Sequence, residues 1–176
     1  MKTLRAKIKL LRENMTIGEV QTLSSAVYSN LFSLDYMREK STFFVYKSFR
    51  NEVDTSAIIN ELLKQNKTVS HPLIIGDKMI SALPTSSEWV KDAFDIETPK
   101  DYKELSSVEV AIIPLIACDT NKNRVGFGKG YYDRFLSETP CIKIGLCYDF
   151  QVTETITPNP WDVKLDYIIT PTKIIK

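Results

Sequence analysis

Apolar residues in the first third of the chain recur at helical spacing. Leu4, Ile8 and Leu11 share one face of a predicted helix. Thr16 and Glu19 form a capping box at the start of a second helix, in which a hydroxyl and a carboxylate satisfy free backbone N–H groups. That helix then carries a single apolar stripe, formed by Val20, Leu23, Val27, Leu31 and Leu34.

The pattern changes to strands and short helices after Ser41. Aromatic and β-branched residues predict a strand over 42–46, and Asp54 and Thr55 are placed to cap a helix that carries Ile58, Ile59, Leu62 and Leu63. A second strand is predicted at about 68–75, with a turn at Gly76 and Asp77 and a returning strand over 78–83. Residues 84–107 are polar and poorly periodic, so they are predicted as a long loop with one short helix around 88–94.

The last third alternates apolar strands with one helix. Residues 108–117 form a continuous apolar run, typical of a central strand buried on both faces. A helix is predicted to start over 131–136, and strands are predicted over 142–148 and 167–170. This alternation predicts an α/β fold, a three-layer αβα sandwich with a mostly parallel, Rossmann-like central sheet and flanking helices. With 176 residues and no linker or repeat, we expect a single domain over 1–176.

Composition and charge narrow the classes of function. With 23 Lys and Arg against 22 Asp and Glu, the net charge is +1, which argues against a broad nucleic-acid-binding surface. Three cysteines without a Cys-x-x-Cys pair and a single histidine, His71, argue against a disulfide framework, a zinc site or a Ser-His-Asp triad. We expect His71 to be structural. No signal peptide or membrane-spanning run is present, so a cytoplasmic monomer without a membrane partner is expected.

Three of the six glycines of the chain, at positions 126, 128 and 130, fall within five residues after the predicted central strand. Alternating glycines permit positive φ and let backbone N–H groups converge on an anion, and the start of the next helix adds more. Arg124 and Lys129 supply full positive charges. The spacing matches neither a Walker loop nor a dinucleotide fingerprint, and a plain strand-to-helix turn is the alternative to a phosphate site.

Acidic residues near this loop are candidate metal ligands. Asp133 follows the glycines within one helical turn, and a carboxylate beside phosphates is suited to hold Mg²⁺. A second carboxylate is expected from Asp162 or Asp166, just before the last strand. The alternative for each is a solvated loop aspartate or a cap.

Longer motifs resemble a known family across essentially the whole chain. The run NRVGFGKGYYDRF, together with VEVAIIPLIACD before it and IGLCYDFQVTETITPNPWDVKLDYIIT after it, resembles the 5-formyltetrahydrofolate cyclo-ligases, also called methenyltetrahydrofolate synthetases. The segments SFRNEVDT and KTLR are similar to earlier parts of the family pattern. The resemblance implies an enzyme that uses ATP and Mg²⁺ to convert 5-formyltetrahydrofolate to 5,10-methenyltetrahydrofolate through a phosphorylated formyl group, with release of ADP and phosphate.

The resemblance also implies roles for individual residues. Lys129, Arg124 and Tyr132 are the implied catalytic residues, and Asp133 with Asp162 is the implied Mg²⁺ site. ATP is expected to contact Lys2, Arg5, Gly126, Phe127, Gly128, Lys129, Gly130, Tyr131, Tyr132 and Asp133. The reduced folate is expected to contact Glu52 through the polar pterin edge, and Met79, Trp89, Phe94 and Tyr132 as walls; an ordinary core role is the alternative for these apolar residues.

Three positions depart from the family pattern. Lys2 stands two positions before Leu4 instead of three, a change of about 100° around a helix. Glu97 comes one position early in its segment, and Phe127 stands where some members carry arginine. The displaced lysine and glutamate leave open a binding protein without turnover, and the glycine loop alone would also suit a small-molecule kinase.

Overall fold

The computed structural model describes residues 2–176, and Met1 lies outside them. The helices of this part are α1 (Lys2–Glu13), α2 (Ile17–Phe32), α3 (Asp35–Glu39), α4 (Ser56–Lys64) and α5 (Tyr131–Glu138), with a 3-10 turn at Asp149–Gln151. The strands are β1 (Thr42–Val45), β2 (Thr68–Ile75), β3 (Lys78–Pro84), β4 (Trp89–Lys91), β5 (Glu97–Pro99), β6 (Tyr102–Glu104), β7 (Val110–Pro114), β8 (Ala117–Asp119), β9 (Arg124–Val125), β10 (Ile142–Leu146), β11 (Val152–Thr153), β12 (Tyr167–Ile169) and β13 (Ile174–Ile175).

Five parallel strands form the centre of an eight-stranded sheet. The strand order is β13-β12-β10-β7-β1-β2-β3-β6, with antiparallel pairing only at β13, β3 and β6. From β1 the chain first adds β2 on one side and later returns to add β7 on the other. The topological switch point, where ligands of open α/β sheets bind, therefore lies between the carboxyl ends of β1 and β7.

Alternation along the strands builds one core on each face of the sheet. In β1, Phe43 and Val45 pack with residues of α2, α3 and α4, whereas Phe44 packs on the opposite face with Leu136 of α5. The same alternation holds in β7, where all five residues are buried. Helices thus cover both faces, which confirms the predicted α/β architecture with a mostly parallel central sheet.

The predictions for α2 and for the β2–β3 hairpin are confirmed. Thr16 Oγ1 accepts from the N–H of Glu19 and the Glu19 carboxylate accepts from the N–H of Thr16, completing the capping box. At α4 the cap comes from Asp54, whose Oδ1 accepts from the N–H of Ser56 at 2.9 Å, because the Thr55 hydroxyl donates to the carbonyl of Tyr46 instead. Within the described residues no helix has the length and apolarity needed to cross a membrane.

The predicted loop and short helix over 84–107 are wrong. Residues 89–99 form a hairpin of β4 and β5, and β6 then pairs with β3 at the sheet edge. The Asp92 carboxylate accepts from the N–H groups of Phe94 and Ile96, and Asp95 takes a positive φ of 64°. These local bonds compete with helix formation and close a turn at the point where a helix was predicted.

Two further differences affect the site. The apolar run over 108–117 is not one strand, because β7 ends at Pro114 and β8 joins a separate small sheet with β9 and β11. In α1 the buried positions are Ile8 and Arg12, whereas Leu11 is 40% exposed. The helix is therefore turned so that part of its polar face points inward, toward the cavity described next.

Candidate active site

A large cavity opens at the switch point of the sheet. Its volume is about 1230 Å³, larger than the roughly 300–1000 Å³ typical of small-molecule pockets. It is lined by residues that follow β1 and β7, by the β2–β3 hairpin, by α1, by the turn of the β4–β5 hairpin, by residues 124–134 and by residues 159–163.

The segment 126–130, called the glycine loop here, lies along one wall of this cavity. Gly128 and Gly130 have positive φ values of 94° and 71°, whereas Gly126 does not. Arg5 reaches the loop from α1: its Nε donates to the carbonyl of Gly126 at 2.9 Å, and its guanidinium lies 3.4–3.6 Å from where a Cβ on Gly128 would be. Glycine at these positions therefore permits both the backbone shape and the close approach of Arg5.

Arg124 is buried beneath the loop and paired with Asp133. Its Nη2 donates to Asp133 Oδ1 at 2.5 Å, and its Nε has no hydrogen-bond acceptor among the described residues. Burial lowers the pKa of Arg124, while the carboxylates of Asp133 and Asp162 raise it. Because an arginine titrates far above neutral pH, Arg124 stays charged and offers an unused donor at the cavity wall.

Asp133 joins the glycine loop to the segment before the last parallel strand. Its Oδ1 accepts from the N–H of Val163 at 3.1 Å as well as from Arg124. Asp162 lies in the same wall, and its Oδ2 accepts from the backbone and side-chain nitrogens of Asn159 at 2.8 and 3.1 Å. Asp166 is elsewhere, because its carboxylate accepts from the N–H of Lys143. Of the two alternatives for the second carboxylate, only Asp162 reaches the cavity.

Among the described residues, no group of three or more His, Cys, Asp or Glu side chains comes together as a metal site. Two carboxylates in the cavity nevertheless suit Mg²⁺, which in nucleotide sites is held by one or two carboxylates together with phosphate oxygens and water. Asp133 keeps Oδ2 free of hydrogen bonds from the described residues, so Asp133 and Asp162 fit such an ion.

Phe127 and Lys129 are exposed side chains of the glycine loop that line the cavity. Lys129 is exposed and its ammonium group forms no ion pair with the described residues. Phe127 is 47% exposed, and Lys9 Nζ of α1 lies 5.6 Å from the centre of its ring. This end of the cavity is therefore positively charged, since Arg5, Lys9, Arg124 and Lys129 all line it.

Glu52 is a buried carboxylate in the cavity wall. Its Oε2 accepts from the N–H of Phe49 at 3.0 Å, and its Oε1 lies 3.6 Å from Arg12 Nη1. Burial raises the pKa of Glu52 to about 7, against the opposing effects of Arg12 and of the Phe49 N–H. Tyr132 also lines the cavity, and burial together with the charge of Glu52 raises the pKa of its hydroxyl.

The remaining predicted contacts divide into two groups. Met79 and Phe94 line the cavity, Phe94 with 44% of its surface exposed. Trp89 does not line the cavity. Its ring packs edge-on against His71, and Lys47 Nζ lies 3.7 Å from the centre of the ring. Lys2 is exposed and also outside the lining, so Arg5 is the cation that the start of α1 brings to the site.

His71 and Glu97 take structural positions at the cavity edge. Nδ1–H of His71 donates to the carbonyl of Val45 at 2.9 Å, and burial lowers the pKa of His71 to about 4. This neutral, hydrogen-bonded histidine is the structural residue that was expected. Glu97 pairs with Lys47 at 3.2 Å.

Several cavity residues were not predicted. On α1, Lys9 and Arg12 follow Arg5 at spacings of four and seven residues and line the cavity with it. That spacing places the three cations on one helical face. It is the sequence pattern from which Lys9 and Arg12 could have been predicted as cavity residues. Trp161, 70% exposed beside Asp162, and the buried Tyr46 also line the cavity.

The strand order and the cavity at its switch point define a Rossmann-like α/β protein with a ligand site at the carboxyl edge of its sheet. The chain belongs to the 5-formyltetrahydrofolate cyclo-ligase family, whose sequence model matches residues 1–171. This confirms the resemblance found in the motifs.

Known proteins are similar over nearly the whole chain. The 5-formyltetrahydrofolate cyclo-ligase of Escherichia coli K12 is 29% identical over 178 aligned residues, covering 95% of this chain and 98% of that protein. The solved structure of the Aquifex aeolicus 5,10-methenyltetrahydrofolate synthetase superimposes with a TM-score of 0.88 at 31% identity, covering 98% and 90% of the two chains. The Mycoplasma pneumoniae 5,10-methenyltetrahydrofolate synthetase gives a TM-score of 0.78 at 27% identity, covering 97% and 98%.

Proposed function

We propose that the protein is a 5-formyltetrahydrofolate cyclo-ligase, which uses ATP to close 5-formyltetrahydrofolate to 5,10-methenyltetrahydrofolate. The observation that carries the proposal is one cavity with two unlike groups of lining residues. One group is the glycine loop with Arg5, Arg124 and Lys129, and the other is the buried carboxylate of Glu52 beside Arg12. Phosphates suit the first group and a flat heterocycle with donor groups suits the second. The family and the names of the relatives support the same activity.

The chemistry needs a phosphoryl transfer followed by a ring closure. The formyl oxygen attacks the terminal phosphorus of ATP, so that an O–P bond forms and ADP leaves. The neighbouring folate nitrogen then attacks the activated formyl carbon and loses its proton. The C–O bond breaks, phosphate leaves, and a methenyl bridge remains. Phosphorylation is required because the oxygen of a formyl amide is otherwise a poor leaving group.

The residues of the positive end would stabilise the transferring phosphoryl group. Backbone N–H groups of residues 126–130 cradle the phosphates, and Arg5 holds the loop in shape from beneath. Lys129 and Arg124 neutralise the charge that develops on the phosphoryl oxygens. Tyr132, between this end and Glu52, faces the reacting groups and helps to exclude water.

Asp133 and Asp162 would hold Mg²⁺, which when bound would offset the negative charge of the phosphates. Asp133 also fixes Arg124 and the segment containing Val163, so this residue sets the geometry of the charged end. Glu52 accepts hydrogen bonds from the donor edge of the pterin, and Met79 and Phe94 provide apolar walls. Action as a monomer in the cytoplasm stays a prediction.

The test is an absorbance assay for 5,10-methenyltetrahydrofolate with 5-formyltetrahydrofolate, ATP and Mg²⁺. Product is expected with the wild-type protein and not when a chelator removes Mg²⁺. Lys129→Ala is expected to lower kcat by about 100- to 1000-fold, the usual cost of losing one group that stabilises transition-state charge. Lys103→Ala, an exposed lysine of β6 far along the sheet from β7, is the matched control and should keep full activity.

Two outcomes would contradict the proposal. Binding of both substrates without product would indicate the alternative of a binding protein without turnover. Near wild-type activity of Lys129→Ala would refute the role given to that lysine, since its exposed side chain has no hydrogen bond or ion pair with the part of the chain that the structure describes, and its loss does not complicate the result.

A further inference from the structure

Arg12, like Arg124, is a cation of the cavity that is buried and only partly hydrogen-bonded. It is 3% exposed on the last turn of α1. Its Nη2 donates to the carbonyl of Arg50 at 3.1 Å, whereas Nε and Nη1 donate to no acceptor among the described residues. Buried, unused donors are costly, so an acceptor is expected to meet them when the cavity is filled.

The unused donors lie beside Glu52. Arg12 Nη1 is 3.6 Å from Glu52 Oε1, close enough for an ion pair but too long for a hydrogen bond. Glu52 Oε2 is already held by the N–H of Phe49. The cavity wall therefore presents a carboxylate acceptor and a guanidinium donor next to each other.

The loop before Glu52 fixes this pair. Arg50 and Asn51 have positive φ values of 47° and 53°, which are uncommon for residues with side chains. Asn51 Nδ2 donates to the carbonyls of Arg12 and Met15 at 2.8 and 3.0 Å, which ties the loop to the end of α1. Two strained residues held in this way indicate that the relative position of Arg12 and Glu52 is set before a ligand binds.

We propose that Arg12 is a substrate-binding residue that reads, together with Glu52, the polar edge of the pterin ring. The inference rests on the proposed function, since it takes a reduced folate as the ligand. That ring edge carries an amino group and a ring N–H, both donors, next to a carbonyl oxygen, an acceptor. Glu52 accepts from the two donors, and a free N–H of Arg12 donates to the carbonyl oxygen.

Arg12 also controls the charge of Glu52. Four titratable groups interact electrostatically with Glu52. They are Arg12 of α1, Tyr46 after β1, Tyr132 of α5 and Tyr148 after β10. Of these only Arg12 is a cation, and it lowers the pKa of Glu52. Loss of Arg12 should therefore raise the pH at which Glu52 becomes an acceptor for folate.

The test compares Arg12→Gln with the wild-type enzyme. The KM for 5-formyltetrahydrofolate should rise about 10- to 100-fold, as for a lost hydrogen bond to a charged group, while the KM for ATP stays unchanged. The midpoint of the pH dependence of folate binding should move upward. Arg12→Lys should recover part of both effects, and Lys7→Gln, an exposed position of α1 outside the cavity, should match the wild type.

A second measurement compares the two proteins on a 4-deoxy analogue, which has hydrogen in place of the ring carbonyl oxygen and therefore also lacks the ring N–H. The wild-type protein should bind the analogue about 10-fold or more weakly than the parent folate. The loss of affinity should be smaller for Arg12→Gln, which already lacks the donor to the carbonyl oxygen, because the lost contact between the ring N–H and Glu52 is the same in both proteins. An equal loss of affinity in the two proteins, or an Arg12→Gln enzyme with wild-type folate KM and pH midpoint, would overturn the inference. A wild-type protein that does not bind folate at all would instead refute the proposed function on which it rests.

Discussion

Two titratable side chains of the cavity, Glu52 and His71, are buried, and burial shifts their pKa values in opposite directions. The pKa of Glu52 rises to about 7, and that of His71 falls to about 4. Both shifts favour the neutral form, because a charge is poorly solvated in the interior. Folded Glu52 keeps a proton that the unfolded chain releases, whereas unfolded His71 takes up a proton that the folded chain excludes.

The consequences for stability have opposite signs. Between the unfolded pKa of Glu52, about 4.5, and the folded value of about 7, the folded state binds more protons, so this residue lowers stability as pH rises. His71 raises stability as pH increases from about 4 to its ordinary value of 6.5. The two contributions partly cancel in the wild-type protein over the range that they share.

The substitution Glu52→Gln separates the contribution of Glu52 to the pH dependence of stability from that of His71. Relative to the wild type, the variant should gain stability as pH rises from about 5 to 7, by up to about 1.4 kcal/mol per pH unit, because it lacks the proton that wild-type Glu52 must release. Urea unfolding of both proteins across this range measures the effect, and His71 cancels because both proteins contain it. The variant also leaves Arg12 unpaired. This shifts its free energy of unfolding by the same amount at every pH, so the difference in slope against pH between the two proteins is unchanged. Two parallel curves would show that Glu52 titrates normally.

The residues that the sequence made predictable are those with unusual local requirements. Closely spaced glycines followed by Tyr-Tyr-Asp are enough to indicate the glycine loop, Arg124 and Asp133. Arg12 and Lys9 were missed because a helix rich in Lys and Arg looks like a solvated surface. Their place in the cavity depends on Glu52 and Phe127, residues distant in sequence that only the fold brings to α1.

Among the elements, α5 depends on the glycine at its start. Gly130 is the N-cap of α5 with φ of 71°, and none of the side chains in residues 2–176 caps the helix. The helix carries Tyr132 and Asp133, so its starting point and direction determine where both side chains meet the cavity. A residue other than glycine at this position would take a backbone conformation that side chains disfavour.

Two glycine substitutions should act in opposite directions. Gly130→Ala should destabilise the protein by about 1–2 kcal/mol through its positive φ and should lower activity by displacing Asp133. Gly18→Ala is the matched control: it lies in the first turn of α2 with nothing within 4 Å of the added carbon, and it should stabilise the protein slightly, by up to about 0.5 kcal/mol. Urea unfolding and the turnover assay test both. Destabilisation of equal size in the two variants would contradict the argument.

Among the helices and strands, long periodic elements were predictable from the sequence and short strands were not. The α2 stripe and the β2–β3 hairpin carry their pattern over many residues. The strands β4, β5 and β6 have three residues each, too few for alternation to be visible. Their pairing depends on the Asp92 turn and on the open edge of β3, which the local sequence does not reveal.

For the whole molecule, the cavity is the place where distant parts of the chain meet. Arg5 from the first helix supports Gly126, Asp133 binds Arg124 and Val163, and Lys47 after β1 pairs with Glu97 of the β4–β5 hairpin. The position of the cavity follows from the strand order, which places β7 beside β1. A sequence of strands and helices predicts a parallel sheet, but not the side on which each new strand is added.

Because these contacts join all parts of the fold, the protein should unfold as one domain. Fluorescence reports on Trp89 in the hairpin and Trp161 beside Asp162, and circular dichroism reports on the helices. The two signals should give a single, coincident urea transition. Folate and Mg-ATP, each tested alone at about 100 times its dissociation constant, should each raise the free energy of unfolding by about 2.7 kcal/mol by both signals. Trp89→Phe leaves Trp161 as the only tryptophan, and the fluorescence midpoint of this variant should coincide with its own circular-dichroism midpoint. Separate transitions, or a ligand shift in one signal alone, would indicate that the cavity joins two independently stable units.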